Sequence, residues 1–189
     1  EETIGSPENS PEQNAAAFLA LIENDQIVNK KYRLGGDINL SGTWTPVELI
    51  NSIIDGNGFK ITGLNLTTND NGNVGLFSVI DNSTITDLTL ENVVINLSND
   101  ATNIGALAGQ VISTSIDSVS TIDNVKVTYS SATVRGTNFG GLVAILDDNS
   151  IVTNSSVESL ILSNNTYVNN VGGLIARVVG GSLNNSSTL

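Results

Sequence analysis

The hydrophobic pattern of this chain changes period once, near Asn24. Before that point Phe18, Leu19, Leu21 and Ile22 fall at helical spacing on one broad apolar side. Ser10-Pro11-Glu12-Gln13 gives the start signal: a serine N-cap, proline at the first helical position and glutamine at the third. The spacing predicts a helix from Ser10 through about Glu23. It makes residues 10–24 an N-terminal capping unit and residues 1–9 (EETIGSPEN) a flexible polar tether. From about Tyr32 onward the chain is short runs of Val, Ile, Leu and Thr broken by Gly, Asn, Asp and Ser, the pattern of strand and turn. Residues 25–189 are thus expected to form a single repeat domain.

The later part repeats itself. NVGLFSVIDNSTITDLTLENVVI from Asn73 is echoed by NFGGLVAILDDNSIVTNSSVESLIL from Asn138. A corner residue (Asp, Asn or Gly), a hydrophobe, any residue and a second hydrophobe recur at Asp37-Ile38-Asn39-Leu40, Gly63-Leu64-Asn65-Leu66, Asp87-Leu88-Thr89-Leu90 and Asn124-Val125-Lys126-Val127. Degenerate copies follow at Asn154-Ser155-Ser156-Val157 and Asn185-Ser186-Ser187-Thr188, so the six rungs stand 26, 24, 37, 30 and 31 residues apart. Two residues before five of these corners lie Ile61, Ile85, Ile122, Val152 and Leu183, a second column. A third accompanies the strings Asn73-Val74-Gly75, Asn103-Ile104-Gly105, Asn138-Phe139-Gly140 and Asn170-Val171-Gly172, followed two residues later by Phe77, Leu107, Leu142 and Leu174.

Strand-rich units of this length signal a solenoid or a propeller, and a propeller blade of about 40 residues is longer than most of these repeats. The reading is all-β: a right-handed parallel β-helix of about six coils. Coils stack about 4.8 Å apart, so like residues form continuous interior columns. Asn and Asp suit its corners because they tolerate left-handed backbone, and stacked amides can bond along the ladder. The variable length is placed in loops such as Val111 to Val119, and the helix covers the first coil.

Charge and composition narrow the function. Nineteen acids against seven bases give a net charge of −12, which repels nucleic acid and anionic membrane surfaces. The Lys30-Lys31-Tyr32-Arg33 cluster is read as a solvated strand entrance. With no His and no Cys, imidazole bases, thiolate nucleophiles, disulfides and the usual zinc sites are excluded. The apolar run Ala15 to Ile22 is too short to span a bilayer and follows acids rather than bases, so no membrane insertion is expected. Export with the signal already removed is the expectation.

The glycine strings NVGLFS, NIGALAG, NFGGLVA and NVGGLIA resemble the signature of the GLUG repeat family. The stretch YRLGGDINLSGTWTPVELINSIIDGNGFKITGLNL looks like the entry coil common in that family, and the resemblance covers residues 32–189. It implies a bacterial surface or secreted protein, of the kind found among adhesin-like proteins and the accessory regions of IgA-specific metallopeptidases. The chain departs from the pattern at Leu76, where a second Gly is expected, and at Ser155 and Ser186, where hydrophobes are. The resemblance carries over no catalytic residue.

Candidate chemistry is sparse. Asp55, in Asp55-Gly56-Asn57-Gly58, fits a carboxylate acid of a glycosidase, but that string is also what a tight turn needs, and the turn is favoured. Asp147, Asp148 and Asn149 could join Asp81-Asn82 around calcium, although the alternating ligand pattern of calcium loops is missing. Glu91 and Glu158 occupy equivalent positions about 10 Å apart if the register holds, and are read as solvated surface. Trp44 with Tyr32 is a candidate sugar platform, against the favoured reading of Trp44 as a cover for the first coil. The Asn82-Ser83-Thr84 and Asn154-Ser155-Ser156 sequons follow from composition, and Arg135 and Arg177 stand alone. No catalytic, cofactor or metal residue is assigned. The reading is a non-enzymatic extracellular or cell-surface module for adhesion, display or spacing, whose ligand is a host or surface protein or glycan. The alternatives are a carbohydrate-binding or carbohydrate-active β-helix and an accessory region of a larger secreted protease. The uncovered last coil is expected to meet either a continuation of the same chain or a second copy.

Overall fold

A computed structural model describes residues 1–67 and 71–189. Three parallel sheets wind into a β-solenoid of about six turns, with one short helix near the N-terminus. The first sheet runs through Glu2–Ile4, Lys31–Leu34, Ile53–Asp55, Thr84–Asn96, Ser120–Thr133, Ser150–Thr153 and Ser182–Asn184. The second stacks Gln26–Val28, Val47–Ile50, Phe77–Asp81, Ala108–Ile112, Val143–Leu146 and Ile175–Val178. Asn73–Val74, Ala101–Gly105, Arg135–Gly140 and Tyr167–Gly172 make the third.

Each interior column is one position of the coil, filled by a hydrophobe in successive turns. Tyr32, Ile54, Ile85, Ile122, Val152 and Leu183 stand in register, and all but Leu183 are buried. Val74, Ile104, Phe139 and Val171 form another. Successive side chains on a strand point to opposite faces, so the alternate residues Thr84, Thr86, Thr89 and Lys126 lie outward and partly exposed.

Three alignments made from sequence shift, the Asp37 rung among them, for Ile38 stacks through Ile61 on Leu90 and not in the column of Leu88 and Val125. Ile61 pairs with Ile38 and Leu90, so it belongs to a neighbouring column and Ile54 takes the place expected for it. Gly63-Leu64-Asn65-Leu66 lies against Val94 and Ile95, one corner beyond Asp87. The counterpart of Asp87 in the previous coil is the Asp55-Gly56-Asn57-Gly58 turn, where the Gly58 amide donates to Asp87 O at 3.0 Å. The confusion has a physical origin. A coil has several corners, each needing a left-handed residue followed by alternating hydrophobes, so the same four-letter pattern marks more than one of them. Asp87, Asn124, Asn154 and Asn185 are left-handed as expected, and so are Asn51, Asn82, Asn92 and Asn149 at other corners.

The helix spans Pro11–Leu19, shorter than expected. Its capping box is complete: Gln13 N donates to Ser10 Oγ at 3.3 Å and Ser10 N donates to Gln13 Oε1 at 2.9 Å. Past Leu19 the chain tightens into i→i+3 bonds from Leu21 N and Ile22 N. Phe18 is fully buried, Leu21 and Ile22 pack at the margin, and Leu19 points outward. Glu2–Ile4, expected within a tether, is instead a strand paired with Tyr32–Leu34. Buried Asn14 holds it there: its Nδ2 donates to Ser6 O and Asp37 O, and its Oδ1 accepts from Ser6 N. Short polar segments read as tethers when their partner lies elsewhere in the chain, and Asn14 is such a partner.

Candidate functional site

Polar side chains repeat between the coils as regularly as the apolar ones. In the third sheet Asn103 Nδ2 donates to Asn73 Oδ1 at 2.7 Å, Asn138 to Asn103 at 2.8 Å and Asn170 to Asn138 at 2.8 Å. This is an amide ladder through four coils, built from the asparagine that opens each glycine string. The glycine two residues on is required by close approach. A Cβ at Gly75 would lie 2.6 Å from Gly105 O, and one at Gly140 would lie 2.7 Å from the Val143 carbonyl carbon.

Serines form a second ladder that sequence reasoning missed. Lys30 N donates to Ser52 Oγ, Ser52 N to Ser83 Oγ and Ser83 N to Ser120 Oγ, at 3.0, 2.9 and 3.2 Å. All three serines are buried, and each hydroxyl turns back to a carbonyl at the same corner. A third ladder explains the departures at Ser155 and Ser186: Val125 N donates to Ser155 Oγ and Ser155 N to Ser186 Oγ, both at 3.1 Å. Part of the signal was present in the Asn-Ser pairs at 51, 82, 154 and 185, of which Asn82-Ser83-Thr84 and Asn154-Ser155-Ser156 read in sequence as incidental sequons. Leu76 is buried. At the matching place in a later coil, Gly141 is crowded by Val157 and Leu160, with no room for a side chain.

The residues singled out for chemistry are drawn into the same work. Asp55 pairs with Arg33 at 3.2 Å and accepts from Asn57 N at 2.7 Å, closing its turn. Both carboxylate oxygens of Asp81 accept from Thr114, and Asn82 Oδ1 accepts from Ser115 N. Asp147 takes Gln110 Nε2 at 2.9 Å and the Asp148 amide at 3.0 Å. The Ser113–Val119 loop therefore lies over Asp81-Asn82, and among the described residues no three acids gather as a metal-ion group. Glu91 and Glu158 are each held by a lysine one coil earlier, Lys60 at 2.9 Å and Lys126 at 2.8 Å. Glu91 raises the Lys60 pKa through its hydrogen bond and charge. Arg135 pairs with Asp100, while Arg177 has no ion pair among the described residues.

The aromatic candidates are interior. Trp44 Nε1 donates to Leu76 O at 2.8 Å and the indole stacks on Phe18 at 6.2 Å between ring centroids. Tyr32 is buried in its column. Tyr129, which the sequence did not single out, crosses the core to donate its hydroxyl to Gly141 O at 2.6 Å, and burial raises its pKa. Against Trp44 a cleft of about 300 Å³ remains, lined by Leu19, Ile22, Leu40, Val47, Asp25, Thr43 and Thr45.

No family model, curated protein or solved structure matches the chain. In this geometry the polar side chains are chiefly coil-to-coil fasteners.

Proposed function

We propose that this chain is a non-enzymatic extracellular or cell-surface repeat module that serves adhesion, display or spacing. One observation supports the reading above the rest: the carboxylates at Asp55, Asp81, Asp147, Glu91 and Glu158 each hold a neighbouring turn or coil. Glycosidic catalysis needs two carboxyl groups facing one bond across a fixed gap, with at least one poised to give up or take a proton. A carboxylate fixed in an ion pair or an Asx turn is ill suited to that task. The glycine strings add their resemblance to surface and secreted repeats. A stack of six coils is about 30 Å long, a rigid spacer whose outward residues are free to vary for binding. No described helix is long and apolar enough to cross a membrane.

The test is incubation with polygalacturonate, alginate, hyaluronan and an unstructured polypeptide, followed by product analysis. The expected outcome is no turnover on any of them. Cleavage that disappears in Asp55→Asn, with the melting temperature unchanged, would replace this reading with a carbohydrate-active or proteolytic one.

A further inference from the structure

Asp25 stands outside the fastening of the coils. Its backbone is left-handed (φ 58°), as is that of Asn24 beside it, in a tight turn that Glu23 and Gln26 close by exchanging N–H and carbonyl groups at 2.9 and 3.0 Å. Among the described residues no hydrogen bond or ion pair holds its carboxylate. The turn places it in the lining of the cleft against Trp44. At about 300 Å³ that cleft falls at the lower end of small-molecule pockets. Leu40, Trp44 and Val47, all buried, make its lining largely apolar. Leu19, the helix residue that the core leaves about half exposed, adds to it. The indole N–H of Trp44 is committed to Leu76 O, so this residue offers the cleft ring surface rather than a donor.

Electrostatics select the charge of a ligand. Among the described residues no Lys or Arg lines the cleft, nor the depression beside it, which shares Asp25 and Thr45 and adds Glu48. Lys30 lines a separate depression, together with Glu23. The helix Pro11–Leu19 reaches the cleft through its final residue and has no basic residue in its last turn, so nothing there offsets its negative pole. A chain of net charge −12 also gathers cations around itself.

We propose that this cleft binds a small organic cation, its apolar body against Leu19, Leu40, Trp44 and Val47 and its ammonium group at the Asp25 carboxylate. Burying the apolar body supplies affinity, and the charge pair at Asp25 fixes orientation and selects the cation. The Trp44 ring adds cation–π attraction. The hydroxyls of Ser41 and Thr45, also in the lining, can accept hydrogen bonds from the ammonium group. The first coils thereby gain a ligand of their own, separate from anything that the outward faces of the rod display or bind.

Trp44 is the only tryptophan, so its fluorescence reports on the cleft directly. The test is titration of the chain with cyclohexylethylammonium and, in parallel, with neutral cyclohexylethanol and anionic cyclohexylacetate, which share its apolar body. The ammonium ion should give a saturable change with a dissociation constant of about 1 mM or tighter. The alcohol should bind about fivefold more weakly, the worth of one charge pair at ~4 Å in water, and the carboxylate should give no saturable change. Asp25→Asn keeps a residue suited to left-handed backbone, as Asn24 shows, and should bring the ammonium ion down to the affinity of the alcohol. Leu19→Ser, at a half-exposed position, should weaken the ammonium ion and the alcohol alike by about threefold or more, with the melting temperature little changed. No saturable response to the ammonium ion, equal binding of the alcohol or the carboxylate, or an ammonium affinity indifferent to Asp25→Asn or to Leu19→Ser would each overturn the proposal.

Discussion

Single positions carry large consequences here because every interior side chain touches its equivalents above and below. Val125 lies between Leu88 of one coil and the corner at Ser155 of the next and is buried. Val125→Asp places an unpaired carboxylate there and should cost about 3 kcal/mol or more in denaturant unfolding. Its neighbour Lys126 points outward, and Lys126→Ala, which removes only the ion pair to Glu158, should cost less than about 1 kcal/mol. Equal losses in the two melts would contradict the assigned faces. Glycines divide in the same way. Gly140→Ala drives a methyl into the Val143 backbone and should cost about 3 kcal/mol. Gly42→Ala, with open space around its Cβ but a φ of +79°, should cost about 1 kcal/mol in the same assay. Residue types were the most legible feature of the sequence, since hydrophobes, glycines and corner asparagines announce themselves. The serine ladders were not legible, because one hydroxyl in a Ser-rich chain looks like any other until the register aligns it.

Strands and ladders behave as units. Within the amide ladder Asn138 both donates to Asn103 and accepts from Asn170, and it is buried. Asn138→Ala should therefore cost about 2–3 kcal/mol, and Asn170→Ala, which breaks one bond at an exposed strand, about 1 kcal/mol. Chemical denaturation of both variants checks the ordering, and a larger loss at Asn170 would contradict it. The capping helix has a pH signature. The Asn39 side chain, donating to Glu12 at 2.8 Å, holds the Glu12 carboxyl below its ordinary value. Since the folded pKa is the lower one, this contribution is present above the ordinary glutamate value and fades as pH falls through the folded value. Amide protection factors across Pro11–Leu19, corrected for the intrinsic pH dependence of exchange, should fall on acidification, and Asn39→Ala should flatten that fall. The helix was legible from its capping box, whereas the strand Glu2–Ile4 was not, because its partner is 30 residues away and three residues hold no detectable period. The misplacement at Gly63 has the same root: pattern locates a corner without saying which corner it is.

At the scale of the whole molecule, repetition makes both the fold and the silence about function. Stacking asks each coil to present the same shape, so sequence is spent on columns and ladders, and the chemistry-bearing residues are absorbed into them. What the sequence reported well was the solenoid, since its signal is summed over six coils. It reported ligands poorly, because recognition by such a rod lies in outward residues that packing leaves free. Every one of these conclusions depends on which residues face each other across adjacent coils, and the absence of cysteine makes that directly measurable. Thr89 faces Lys126 in the parallel ladder, both outward, while Asp123 lies three residues away along the neighbouring strand. The double variant Thr89→Cys with Lys126→Cys should form an intramolecular disulfide on mild oxidation, since neighbouring strands about 4.8 Å apart bring the two Cα atoms within bridging range. Thr89→Cys with Asp123→Cys, displaced by about 10 Å along the strand, should stay reduced under the same conditions. Bridging of the second pair but not the first, read by mass spectrometry of the oxidised monomer, would contradict the register and with it the assignment of columns, ladders and outward faces.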